Sequence, residues 1–116
     1  MTDLQALSKF SDPIDYLNFE FESKRLKNAQ FSLRAWSRQL GYENPSFISH
    51  ILNRKRKLKQ KVAEKFSTNL KLTGDAKKYF ELLVLVQDSR STEEMKIYCD
   101  LLESLRCQAS VEPKAL

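Results

Sequence analysis

The residues of this chain with the clearest chemical potential lie between Ser32 and Lys61. Ser46, Ser49, His50 and Asn53 recur at steps of three and four, which at about 100° per residue gathers them, with Arg54, on one side of a helix. Phe47, Ile48, Ile51 and Leu52 gather on the other side. A serine hydroxyl donates or accepts, and an asparagine amide pairs bidentately with adenine, so such a face carries the groups that read base edges in a major groove. Ser46, Ser49, His50 and Asn53 are therefore the candidate base-contacting residues. Arg54, Lys55, Arg56, Lys57, Lys59 and Lys61 follow as a cationic run suited to sequence-independent attraction to phosphates. Arg34 and Arg38, with Ser32 at the amino end of the preceding helix, are further candidates for phosphate contact. A solvated helix face and a solubilising charge run have similar compositions. What favours recognition is the coincidence of polar face, turn and adjacent cations.

Other chemistry has little to work with. His50 is the single histidine, and helical spacing brings no Cys, Asp or second His beside it to make a metal site or a general base. There is no glycine-rich phosphate loop and no nucleophile elbow. The expectation is a protein without catalysis, metal or cofactor. Cys99 and Cys107 are eight residues apart in one predicted helix. That is roughly 12 Å, beyond the ~7 Å Cα limit of a disulfide, so both are expected as free thiols. Tyr42 and Phe31, which flank the helix after Ser32, read as hydrophobic staples rather than stacking platforms.

The elements that must position these residues are helical. Two Gly and three Pro in 116 residues leave few turn signals, and no segment alternates apolar and polar residues at period two, so an all-α bundle of five to six helices is expected. Asp12 as N-cap and Pro13 at the first position start a helix that runs to about Lys27, with apolar stripes on two sides that predict burial on more than one face. Ser32 caps the second helix, which Gly41 stops; Asn44 and Pro45 start the third. The resulting helix-turn-helix spans residues 32–53. A fourth helix to about Leu70 turns Val62, Ala63, Phe66 and Leu70 inward. A C-terminal hairpin over 75–107 pairs a fifth helix, apolar nearly all round, with a sixth that starts at Ser91 or Thr92. Residues 1–12 read as an arm or a short extra turn, 13–107 as one domain and 108–116 as a tail.

The net charge of +5 hides an asymmetry. Residues 1–20 carry one Lys against four acids, residues 21–71 thirteen Lys and Arg against three, and residues 72–116 six against eight. The helix-turn-helix thus sits in a segment of net +10, an anion-facing surface for which nucleic acid is the natural partner. The longest aliphatic run, Leu82 to Val86, falls far short of the ~20 apolar residues of a membrane span, and the first residues show no secretory pattern. A cytoplasmic, nucleoid-associated location is expected.

Leu33 to Arg56 resembles the helix-turn-helix of the lambda-repressor-like (Cro/C1, XRE) families: Ile48, Ser49 and Ile51 fall on its Thr-Ile-Ser-x-Ile pattern, and Arg54-Lys55-Arg56 follows where it has Gly-Lys-Arg. Two departures are visible. The turn after Gly41 is one residue longer, and the customary Gly is missing from Asn53 to Lys55. Over about Tyr16 to Glu94, NPSFISHILNRKRKL, VAEKF and KKYFELLVLV look closer still to a poorly characterised bacterial family of helix-turn-helix regulators with a C-terminal domain of unknown function. Those are typically longer proteins, so ligand-responsive regulation is not carried over.

The resemblance implies a DNA-binding transcriptional regulator whose second motif helix enters the major groove of double-stranded DNA. Homodimerisation through the fifth and sixth helices would cover their apolar excess. Two other readings fit the same residues. One is an adaptor that binds an acidic protein, and the other a non-specific nucleic-acid-binding protein.

Overall fold

In the computed structural model, residues 4–110 are described, and within them the chain is entirely helical, with no strand. Local chemistry explains where most helices begin. Asp12 Oδ1 accepts from the Ile14 N–H at 2.8 Å and Pro13 occupies the first turn, starting α2 (Pro13–Lys27) after a one-turn α1 (Leu4–Leu7). Ser32 Oγ accepts from the Ala35 N–H at 3.1 Å to start α3 (Leu33–Leu40). Asn44 Oδ1 accepts from the Ser46 N–H at 2.9 Å to start α4 (Pro45–Leu52). The helices α5 (Gln60–Asn69) and α6 (Gly74–Asp88) start without a side-chain cap. For α7 (Thr92–Ser110), Ser91 Oγ accepts from the N–H groups of both Glu93 and Glu94.

The central element is α6. Ala76, Tyr79, Phe80, Leu82, Leu83 and Val84 are buried, because α1, α2, α5 and α7 all pack around it. Its all-round apolar character is thus satisfied within the chain. The segment before α2 is held as well: Leu7 is fully buried, the Phe10 ring meets Tyr16 edge-on at 5.5 Å, and the Tyr79 hydroxyl bonds to the Phe10 carbonyl at 2.8 Å. That hydroxyl also accepts from Arg106 Nε at 2.8 Å, which ties α7 to the same point and raises the Arg106 pKa above its ordinary value. A second cluster is aromatic, with Trp36 fully buried between the Phe21 ring, stacked at 5.7 Å, and the Phe66 edge at 5.1 Å.

Both apolar stripes of α2 are buried in its first turns, at Ile14 and Leu17 on one and Tyr16 on the other. Further along, Phe19 is half exposed against the Phe10 ring and Leu26, near the end of the helix, is 87% exposed. The sequence-based tail boundary shifts, since residues 108–110 continue α7; residues 1–3 of the arm and 111–116 of the tail lie outside the described residues.

Candidate nucleic-acid interface

Four residues, Gly41 to Asn44, separate α3 from α4. Gly41 has φ +97°, and the N–H groups of Gly41 and Tyr42 bond back to Arg38 and Ser37, closing the end of α3 with the left-handed turn that glycine adopts without strain. This turn places Tyr42 on Phe47, ring centroids 4.8 Å apart, so Phe47 is half-buried in this contact rather than in the deep core. Ile48, Ile51 and Leu52 form the buried face of α4.

The opposite face bears the expected polar groups, of which Ser46, His50 and Asn53 are exposed and Ser49 is half-buried. Ser46 and Ser49 line an open groove of about 390 Å³ with Ser32 and Arg34, where the amino ends of α3 and α4 come together. Two helix starts, three hydroxyls and a guanidinium there converge on one concavity, a donor set suited to an anionic backbone with base edges beside it. Ser32 Oγ accepts the capping bond from Ala35 N–H and keeps its own O–H to donate, while Asn44 Oδ1 accepts from Ser46 N–H. His50 and Asn53 do not line this groove. Asn53 is the C-cap of α4, about 10 Å along the axis from Ser46, and its Nδ2 donates to Ser49 Oγ at 3.3 Å. Arg38 is exposed and also lies outside the groove.

The cationic run divides. Lys55, Arg56, Lys57, Lys59 and Lys61 are exposed, with Arg56 stacked over the Phe47 ring at 4.9 Å and Lys57 3.4 Å from Asp88. Arg54 differs. Its guanidinium holds Asp12 at 2.7 Å and Asp15 at 2.6 Å, both at the start of α2, so the side chain expected at a phosphate is already engaged by two carboxylates. Its backbone has φ +64°, in the left-handed region that favours glycine. The N–H groups of Arg54 and Lys55 bond to Ile51 and His50, so the same left-handed cap closes α4 without glycine.

Sequence reading missed the residues that fix the angle of α4. Asn18 Nδ2 donates to the Leu52 carbonyl at 3.1 Å, so a side chain of α2 satisfies the last carbonyl of α4. Lys65 lies over the Tyr42 ring at 4.5 Å; its only sequence signal was the four-residue step from Lys61. Among the described residues, no three His, Cys, Asp or Glu side chains are placed to hold a metal ion, Cys99 and Cys107 are free and exposed, and no helix is long and apolar enough to cross a membrane.

Comparison with family models, with curated proteins and with solved structures finds no match for this chain.

Proposed function

We propose that the chain is a DNA-binding transcriptional regulator that inserts α4 into the major groove. The observation that carries this reading is the groove uniting Ser46 and Ser49 with Ser32 and Arg34 at the starts of both motif helices. Ile48, Ile51 and Leu52 bury the opposite face of α4, and the exposed cations from Lys55 to Lys61 follow the far end of that helix. Ser46 and Ser49 are assigned to base edges, with His50 beside them. Asn53 is assigned a base contact at the far end of the helix, where recognition helices contribute less. Arg34, Arg38 and the cations from Lys55 to Lys61 are assigned to phosphates. The motif resembles the lambda-repressor-like type, and the reading includes a bacterial, cytoplasmic, nucleoid-associated protein that acts as a homodimer.

The deciding experiment is selection of bound sequences from a random duplex pool, followed by gel shifts at two salt concentrations with the selected duplex, random duplex and RNA. A defined motif, preferably palindromic, is the expected outcome. Binding to every duplex and RNA alike would replace regulation by non-specific coating. No shift with any nucleic acid at low salt would leave the adaptor that binds an acidic protein.

A further inference from the structure

A second concavity lies between Tyr42 of the α3–α4 turn, the start of α5 with the segment before it, and the α6–α7 connection. Its volume is about 680 Å³, and Lys57, Lys59, Lys61, Lys65 and Arg90 line it against a single carboxylate, Asp88. Asp88 reaches only Lys57, at 3.4 Å and with both side chains mostly exposed, a weak pair. Among the described residues, Lys59, Lys61, Lys65 and Arg90 have no ion-pair partner. Like charges converging on one concavity raise the local potential and favour an anion there.

One further observation concerns donors rather than charge. Gln60 lines the same groove. Gln60 is also the first residue of α5, whose N-cap Lys59 supplies no side-chain acceptor, so the first N–H groups of that helix begin uncapped beside the cations. Phosphate oxygens are the acceptors that such donors and cations hold together. A single phosphate carries about −1.5 to −2 charges at neutral pH and cannot balance four unpaired cations.

We infer that this groove is a polyphosphate subsite that holds two or more linked phosphate groups, with Lys65 and Arg90 as members not anticipated from the cationic run. The phosphates belong either to a nucleic-acid strand beside the segment read by α4 or to a free polyphosphate. The first source rests on the DNA-binding reading and the second does not.

The test compares wild type, Arg90→Gln and the double variant Lys65→Gln/Arg90→Gln, all at exposed positions, with thermal melting to confirm an intact fold. The two probes are inorganic tripolyphosphate, by calorimetry at low salt, and a random 25-base-pair duplex, by gel shift over a salt series. The double variant is expected to weaken tripolyphosphate binding about tenfold, or to lower the duplex salt slope by about two, and Arg90→Gln alone to show roughly half the effect. A loss confined to the duplex supports the subsite and names its source as the strand backbone; a loss confined to tripolyphosphate supports it and names a free ligand. Unchanged binding of both probes overturns it. Ser46→Ala/Ser49→Ala separates the two readings: unaltered duplex selectivity there, with tripolyphosphate binding still lost in the double variant, refutes base reading and leaves the groove standing.

Discussion

At Arg54 two demands meet on one residue. Its left-handed backbone costs a non-glycine residue of the order of 1 kcal/mol. Its guanidinium bridges Asp12 and Asp15 and so ties the end of α4 to the start of α2, although these partly exposed pairs contribute below about 1 kcal/mol each. Arg54→Gly removes the bridge and relieves the backbone, and urea unfolding should place it within about 0.5 kcal/mol of wild type. Arg54→Ala keeps the strain without the bridge and should be about 1 kcal/mol less stable than the glycine variant. Equal stabilities for the two would mean that the backbone conformation carries no strain. In DNA binding, Lys57→Ala should lower the salt slope by about one for every duplex, whereas Arg54→Gly should change it less, because Asp12 and Asp15 already occupy that charge. Ser49→Ala should instead reduce discrimination between selected and random duplex, by about 1 kcal/mol, with the slope unchanged. In the sequence Arg54 is one more cation in a run of cations. Its carboxylate partners lie 42 and 39 positions away, and local periodicity carries no information across that separation.

The helices themselves were legible where side chains cap them. Asp12, Ser32 and Asn44 each accept backbone N–H groups at the start predicted for them, Ser91 does so where either Ser91 or Thr92 was expected, and Gly41 closes α3. The polar face of α4 followed from its three- and four-residue steps, but the groove shared with Ser32 and Arg34 did not, since it depends on how two helices meet. Polar contacts between helices were equally invisible. Trp36 Nε1 donates to Asn69 Oδ1 at 2.7 Å, and Asn69 Nδ2 donates to Gln39 Oε1 at 3.1 Å, joining α3 to the end of α5. Asn69→Ala leaves the indole N–H of a fully buried Trp36 without its acceptor and should cost about 1–3 kcal/mol in urea unfolding. The opposite sign is expected at Ser67, which is buried in α5 with a hydroxyl that has no hydrogen-bond partner. Removing an unsatisfied hydroxyl relieves its desolvation, so Ser67→Ala should raise the melting temperature, by up to about 1 kcal/mol in stability. A loss of stability at Ser67→Ala would show that the hydroxyl is satisfied in solution.

The whole molecule is a slab of 42 × 39 × 18 Å, little more than two helices thick, so an outer helix can bury only one side. That geometry decides which part of the C-terminal hairpin is available to a partner. The apolar surface of α6 is covered by four neighbouring helices, whereas α7 buries Leu102 and Leu105 and leaves Ile97 and Leu101, one turn apart, 57% and 48% exposed. A dimer formed through the hairpin therefore has to use the outer face of α7 and not α6. Light scattering at high micromolar concentration should give twice the 13.6 kDa chain mass, and Ile97→Glu/Leu101→Glu should return it to the single-chain value. The exposure of both positions makes the substitutions tolerable to the fold, which thermal melting verifies. If the dimer grips two half-sites, the double variant should also lose about half of the salt slope on a palindromic duplex, since one subunit's phosphate contacts disappear while each remaining half-site contact is unchanged. A 13.6 kDa mass for the wild type at every concentration would exclude the dimer, leaving α4 to read a single half-site.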